Sequence, residues 1–173
     1  MPLVMACPNI DLAAYMMQHG ASLGGLSFRQ CFEMFATNDA LFLEFLVNES
    51  GALNINEVDP TSGHTCLITA AEANDIKKMN FLLKFGADPD CRYPEDAEQR
   101  VGMTLLHEAC LKGKVEQAKL LLSYGANFNL KCNRGRTTLD FLRTGHEAKS
   151  NRRREELKSL LYKYTVKNSI LNR

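Results

Sequence analysis

Gly102-Met103-Thr104-Leu105-Leu106-His107-Glu108-Ala109-Cys110 and, further on, Leu121-Leu122-Ser123-Tyr124-Gly125-Ala126-Asn127-Phe128-Asn129 decide the fold, because both phrases recur. The first has an earlier copy in Gly63-His64-Thr65-Cys66-Leu67-Ile68-Thr69-Ala70-Ala71 and a looser later one in Gly135-Arg136-Thr137-Thr138-Leu139-Asp140-Phe141. The second is echoed by Leu82-Leu83-Lys84-Phe85-Gly86-Ala87-Asp88-Pro89-Asp90, with weaker copies at residues 16–22 and 47–54. Gly20, Gly51, Gly86 and Gly125 stand 31, 35 and 39 residues apart, and Thr65, Thr104 and Thr137 stand 39 and 33 apart. Two phrases alternating at one period mean a chain built of repeated units.

Each phrase has a physical reading. A threonine hydroxyl can accept from the free N–H groups that open a helix, so Thr65, Thr104 and Thr137 predict helix starts. Leu67, Ala70 and Ala71 then fall at helical spacing. Val115, Ala118, Leu121 and Leu122 form the stripe of a second helix. Gly86 and Gly125 sit where such helices end in a left-handed residue. A helix pair this short cannot bury its apolar face alone, whereas stacked neighbours can.

With a period near 33, the wording resembles the ankyrin repeat, whose signature is Thr-Pro-Leu-His-x-Ala followed by a Leu-Leu-x-x-Gly-Ala turn. The match is closest over residues 57–132. The resemblance implies an all-α solenoid of stacked antiparallel helix pairs in a single domain spanning residues 1–173. Within it we expect an incomplete first repeat (1–24), a degenerate repeat (25–56, helices near 28–35 and 39–47) and two well-formed repeats (57–90 and 91–131). A terminal repeat with a tail (132–173) follows, its last helix over 155–162. Two connections depart from the pattern. Eleven residues separate Asp90 from Gly102, where five separate Asn129 from Gly135, and the segment 145–151 is also long. Insertions in repeat proteins map to loops on one face, often the binding face.

Composition narrows the class. Hydrophobic residues make up 45% and charged residues 24%, which is globular and not disordered. No apolar run approaches the ~20 residues that span a bilayer, and the first eight residues have no basic start, so no signal peptide is read. Cys7, Cys31, Cys66, Cys91, Cys110 and Cys132 are scattered singly, which argues for reduced thiols in the cytoplasm, or in the nucleus as the alternative. The net charge of +1 hides an imbalance: residues 1–90 carry eleven acids and four bases, leaving nine acids and seventeen bases in 91–173. Such asymmetry bears on partner choice.

Catalytic chemistry finds little support. Cys110 lies one helical turn after His107, but it replaces a small packing residue, and free cysteine is commonly a buried hydrophobe. No clustered Cys/His set suits zinc, no Gly-x-Gly-x-x-Gly loop occurs, and the dispersed acids form no acid/base couple. We expect no enzyme, no metal and no cofactor. In the family, the histidine at the His107 position holds neighbouring repeats in register. Arg152-Arg153-Arg154 is the sharpest basic cluster; a solvated helix start is weighed there against a nucleic-acid or acidic-lipid site and a nuclear-import signal.

The resemblance places protein binding on the connection tips and the exposed side of each first helix. Carried onto this sequence, it gives His64, Glu72, Arg100, Val101, Met103, Leu111, Lys112, Arg134 and Arg136, and Tyr93 is added from the long connection. Met103, Leu111 and Tyr93 are expected to be an exposed apolar anchor with a basic rim, suited to an acidic or mixed acidic and apolar protein surface. Asn129 resembles the asparagine that such hairpins offer to hydroxylating enzymes. The expected function is a protein-binding adaptor, scaffold or targeting module, acting as a monomer. The alternatives are a regulatory or targeting fragment of a larger enzyme or host-acting effector, and a binder of nucleic acid or acidic membrane through the basic C-terminal end.

Overall fold

The computed structural model describes residues 54–94, 100–144 and 151–171. The expected repeats at 1–24 and 25–56 lie outside these residues, apart from 54–56. So do 95–99 in the long connection and 145–150 before the last helix.

Six helices occur among the described residues: α1 (Cys66–Glu72), α2 (Ile76–Lys84), α3 (Leu105–Lys112), α4 (Val115–Ser123), α5 (Thr138–Thr144) and α6 (Asn151–Leu171). The threonines mark the starts. Thr65 accepts from the Ile68 N–H at 3.3 Å, and Thr104 accepts from the His107 N–H at 3.4 Å. Thr137 behaves differently. Its hydroxyl donates to Asp140 Oδ2 at 2.8 Å, and that carboxylate also accepts the Thr137 backbone N–H at 2.9 Å. The acid three residues on thus supplies the reciprocal half of a capping box, accepting the backbone N–H of the residue that precedes the helix.

Gly86 and Gly125 close α2 and α4 with φ of +92° and +87°. After α4, the Gly125 N–H donates to Leu122 and the Ala126 N–H to Leu121, and the same pair of bonds follows α2. This double closure satisfies the last carbonyls and needs a left-handed residue, which glycine adopts without a Cβ clash. Three residues join α1 to α2 and two join α3 to α4. Turns this short force antiparallel pairs.

The pairs stack. The second helices form one row, α2 on α4 and α4 on α6, while α3 packs on α5. Met79 and Leu82 from α2, Leu106 and Ala109 from α3, and Leu121 from α4 are fully enclosed, as are Phe141 from α5 and Leu157 and Leu161 from α6. Burying each large apolar side chain contributes roughly 1.5–3 kcal/mol. The helix expected at 155–162 runs instead from Asn151 to Leu171. Leu157 and Leu161, with Leu160 and Tyr164 partly buried beside them, make the stripe that seats it. Lys119 of α4 pairs with Glu156 at 3.0 Å.

The connections between pairs are hairpins held by isolated antiparallel bridges, Arg92 with Thr104 and Lys131 with Thr137. Side chains tie each hairpin to the next. Asn56 accepts the Asp88 N–H at 2.7 Å, and Asp90 accepts the Asn127 N–H at 2.9 Å. Arg92 donates to the carbonyls of Gly102 and Lys131 at 2.7 and 3.0 Å. These bonds pair backbone groups that the bridges leave open and fix each tip against its neighbour.

Candidate protein-binding face

His107 is the clearest joint between repeats. The Thr104 N–H donates to His107 Nδ1 at 3.0 Å, so Nε2 carries the ring proton and donates to the Leu130 carbonyl of the next hairpin at 2.9 Å. Burial lowers its pKa from 6.5 despite the Leu130 bond, and the nearby charges of Arg92 and Arg136 push the same way. The imidazole is therefore neutral and both nitrogens are committed. Cys110 is likewise enclosed, and burial pushes its thiol up to about 12. A thiol this far from ionisation is no nucleophile. Cys91 and Cys132 are also free and buried, and Cys66 is buried.

Half of the surface residues expected from the sequence meet around one carboxylate that was not among them. Glu108, on α3, is 3% exposed. It accepts from the Tyr93 hydroxyl and from Lys112 Nζ, and Arg100 Nη1 stands 3.6 Å away. Arg100 also reaches Glu72 of α1 at 2.6 Å, and Glu72 faces His64 Nδ1 at 3.4 Å. The Arg100 guanidinium lies 4.5 Å over the Tyr93 ring, and the His64 ring meets that ring edge-on. A buried carboxylate is tolerable only with such donors around it.

Two expected anchors are corrected. Tyr93 and Met103 are each 2% exposed and belong to the core. The Tyr93 N–H donates to the Met103 carbonyl at 2.9 Å, so the long connection folds back and turns both side chains inward. Val101 and Leu111 are half-buried, and Leu111 packs against the core with one side.

A cleft of about 470 Å³ opens beside this network, lined by Arg100, Glu108, Leu111, Lys112, Arg134, Arg136 and Phe141. Five of its seven lining residues were expected from the sequence; Glu108 and Phe141 were not. The Arg136 guanidinium stacks on the Phe141 ring at 4.2 Å. Arg100 and Lys112 are engaged with acids, whereas Arg134 and Arg136 have no ion pair among the described residues. The cleft is thus basic at its rim, with apolar surface from the half-buried Leu111.

Asn129 is exposed, and its backbone N–H donates to Asn127 Oδ1 at 3.0 Å. In the preceding units the matching side chains, Asn56 and Asp90, cap the next hairpin. Among the described residues no group of three or more His, Cys, Asp or Glu is placed to hold a metal ion, and no helix is long and apolar enough to cross a membrane.

Helix pairs in register, joined by hairpins that hydrogen-bond from tip to tip, define an α-helical repeat solenoid. The chain belongs to the ankyrin-repeat family: the family model for ankyrin repeats, in three copies, matches residues 2–132. A similar solved structure is the ankyrin repeat domain of Bcl-3, described as a unique member of the IkappaB protein family. The two share 22% identity and a TM-score of 0.58, over 86% of this chain and 66% of that one. At this identity the likeness concerns the fold. No curated protein sequence matches the chain. Ankyrin repeats serve as protein–protein interaction modules.

Proposed function

We propose that this chain binds a partner protein on the face made by its connection tips and first helices, as an adaptor, scaffold or targeting module with no chemistry of its own. The observation that carries the reading is the basic cleft. It gathers Arg100 from the long connection, Lys112 from α3, and Arg134 and Arg136 from the next hairpin around the half-buried Leu111. A cationic rim around a small apolar centre suits an acidic or mixed acidic and apolar protein surface. The protein acts as a monomer in the cytoplasm, with the nucleus as the alternative, and its repeats divide at 1–24, 25–56, 57–90, 91–131 and 132–173.

A pull-down from cell lysate tests this. The wild-type chain is compared with an Arg100→Glu, Leu111→Glu, Arg136→Glu variant whose helicity and cooperative unfolding are checked first. The wild type is expected to capture a partner and the variant to lose it. Equal capture by both moves the interface off this face. Capture of nucleic acid or anionic vesicles alone, lost steeply with added salt, supports instead the exposed Arg152 and Arg153 at the start of α6.

The exposed Asn129 is proposed as an acceptor for an asparagine hydroxylase. After treatment with such an enzyme, the peptide holding Asn129 is expected to gain the mass of one oxygen atom; an unchanged mass removes the proposal.

A further inference from the structure

Resting on the protein-binding reading, we propose that the Arg136 guanidinium is the seat for an aspartate or glutamate carboxylate of the partner, taken beside an apolar residue that lies against Leu111.

The side chain is held in place and left without an acceptor. Its backbone closes the hairpin: the Gly135 N–H donates to the Cys132 carbonyl at 2.8 Å, and the Cys132 N–H donates to the Arg136 carbonyl at 3.0 Å. Its guanidinium is stacked 4.2 Å from the ring of Phe141, itself 1% exposed. Arg136 Nε is buried and has no hydrogen-bond partner. Nε itself is closed off from the cleft, so an acceptor from outside reaches the guanidinium at its terminal Nη groups, which no ion pair among the described residues holds. No carboxylate among the described residues pairs with it. Asp140 stands close enough for its charge to act on Arg136, but its Oδ2 accepts both the backbone N–H and the hydroxyl of Thr137. Glu108, in the cleft, is already occupied by Tyr93, Lys112 and Arg100.

The geometry selects the class of ligand. A guanidinium presents parallel N–H groups that match the two oxygens of a carboxylate. Arg134 is exposed and free of ion pairs, and adds long-range attraction from the same hairpin. A phosphate matches the fork as well as a carboxylate does, and what favours an acidic side chain is the apolar surface beside the fork. Leu111 offers apolar surface to the methylenes of an acidic side chain and to its neighbour in sequence.

The test uses the full chain, isotopically labelled so that the Arg136 Nε–H resonance can be followed by NMR. The probes are the end-blocked peptide Glu-Leu-Glu, its Gln-Leu-Gln counterpart and inorganic phosphate. Glu-Leu-Glu is expected to shift the Arg136 resonance saturably, with little response to the other two. Arg136→Lys keeps the charge and loses the fork, and is expected to weaken peptide binding about tenfold, as read from the neighbouring backbone amides. An unmoved resonance, an equal response to phosphate, or full binding by Arg136→Lys overturns the proposal. A partner protein captured equally by wild type and Arg136→Lys removes the carboxylate seat and leaves the protein-binding reading standing. A wild-type chain that captures no protein removes that reading, while the titration still reports on the seat.

Discussion

Phe141→Ala is expected to lower the unfolding free energy by about 3–5 kcal/mol, the range for deleting an enclosed aromatic ring. The ring is 1% exposed, touches the His107 imidazole at 5.2 Å between centroids and supports the Arg136 guanidinium from below. Nothing nearby is free to collapse into the gap, because α5 is pinned between α3 and α6. Urea denaturation measures the loss. If the ring is the floor of the cleft, a folded Phe141→Ala chain also loses partner capture, since Arg136 no longer has a surface to lie on. A loss under about 1 kcal/mol would mean that α5 is loosely held and that the terminal repeat is not part of the cooperative stack.

His107→Ala is expected to cost about 2–4 kcal/mol, combining a cavity with two deserted backbone groups. The Thr104 N–H loses its acceptor and the Leu130 carbonyl loses its donor. This residue also sets an acid limit. Its pKa in the fold is lowered from 6.5, chiefly by burial. The unfolded chain therefore binds a proton before the folded chain does. The contribution is complete above the ordinary histidine value of about 6.5 and is lost as pH falls through the folded value. Between about pH 7.5 and 5, wild type is expected to lose more stability than His107→Ala. Parallel pH profiles for the two chains would leave His107 without the joint assigned to it. His107 and Phe141 are in contact, so their effects are not expected to add, and a double-mutant cycle measures the coupling.

What the sequence made legible was whatever depends on a few neighbouring residues. A threonine before an apolar run opens α1 and α3, and a glycine after Leu-Leu-x-x ends α2 and α4, because these are local backbone needs. His107 was readable only through the family resemblance, since its bond to Thr104 is local but its bond to Leu130 spans 23 residues. The errors came from contacts distant in sequence. Tyr93 and Met103 stood in a long connection and read as surface; the hairpin that buries them is closed by a bond between residues ten apart. Glu108 looked like an ordinary helix acid. Its burial depends on Tyr93 and Arg100, from either side of the long connection, and only Lys112, one turn away, hinted at a pair. The length of α6 was also hidden, because its seat is two leucines while the residues beyond Tyr164 carry no stripe strong enough to extend the reading.

These corrections change the character of the proposed interface. An apolar anchor of Tyr93, Met103 and Leu111 has become a basic cleft with a single half-buried leucine, and two of the lost anchors now hold its shape. The energetic weight shifts toward charge. Arg100 and Lys112 offset the desolvation of the buried Glu108 and so hold the shape of the cleft, while the uncommitted Arg134 and Arg136 remain for a partner.

The most direct measurement is site-specific photocrosslinking in cells. A photoreactive amino acid replaces Arg134 on the cleft rim or, in a second chain, Glu116, an exposed residue of α4. The account predicts a discrete protein adduct from position 134 and none from position 116. An adduct from position 116 alone, or no protein adduct from either position, would contradict it.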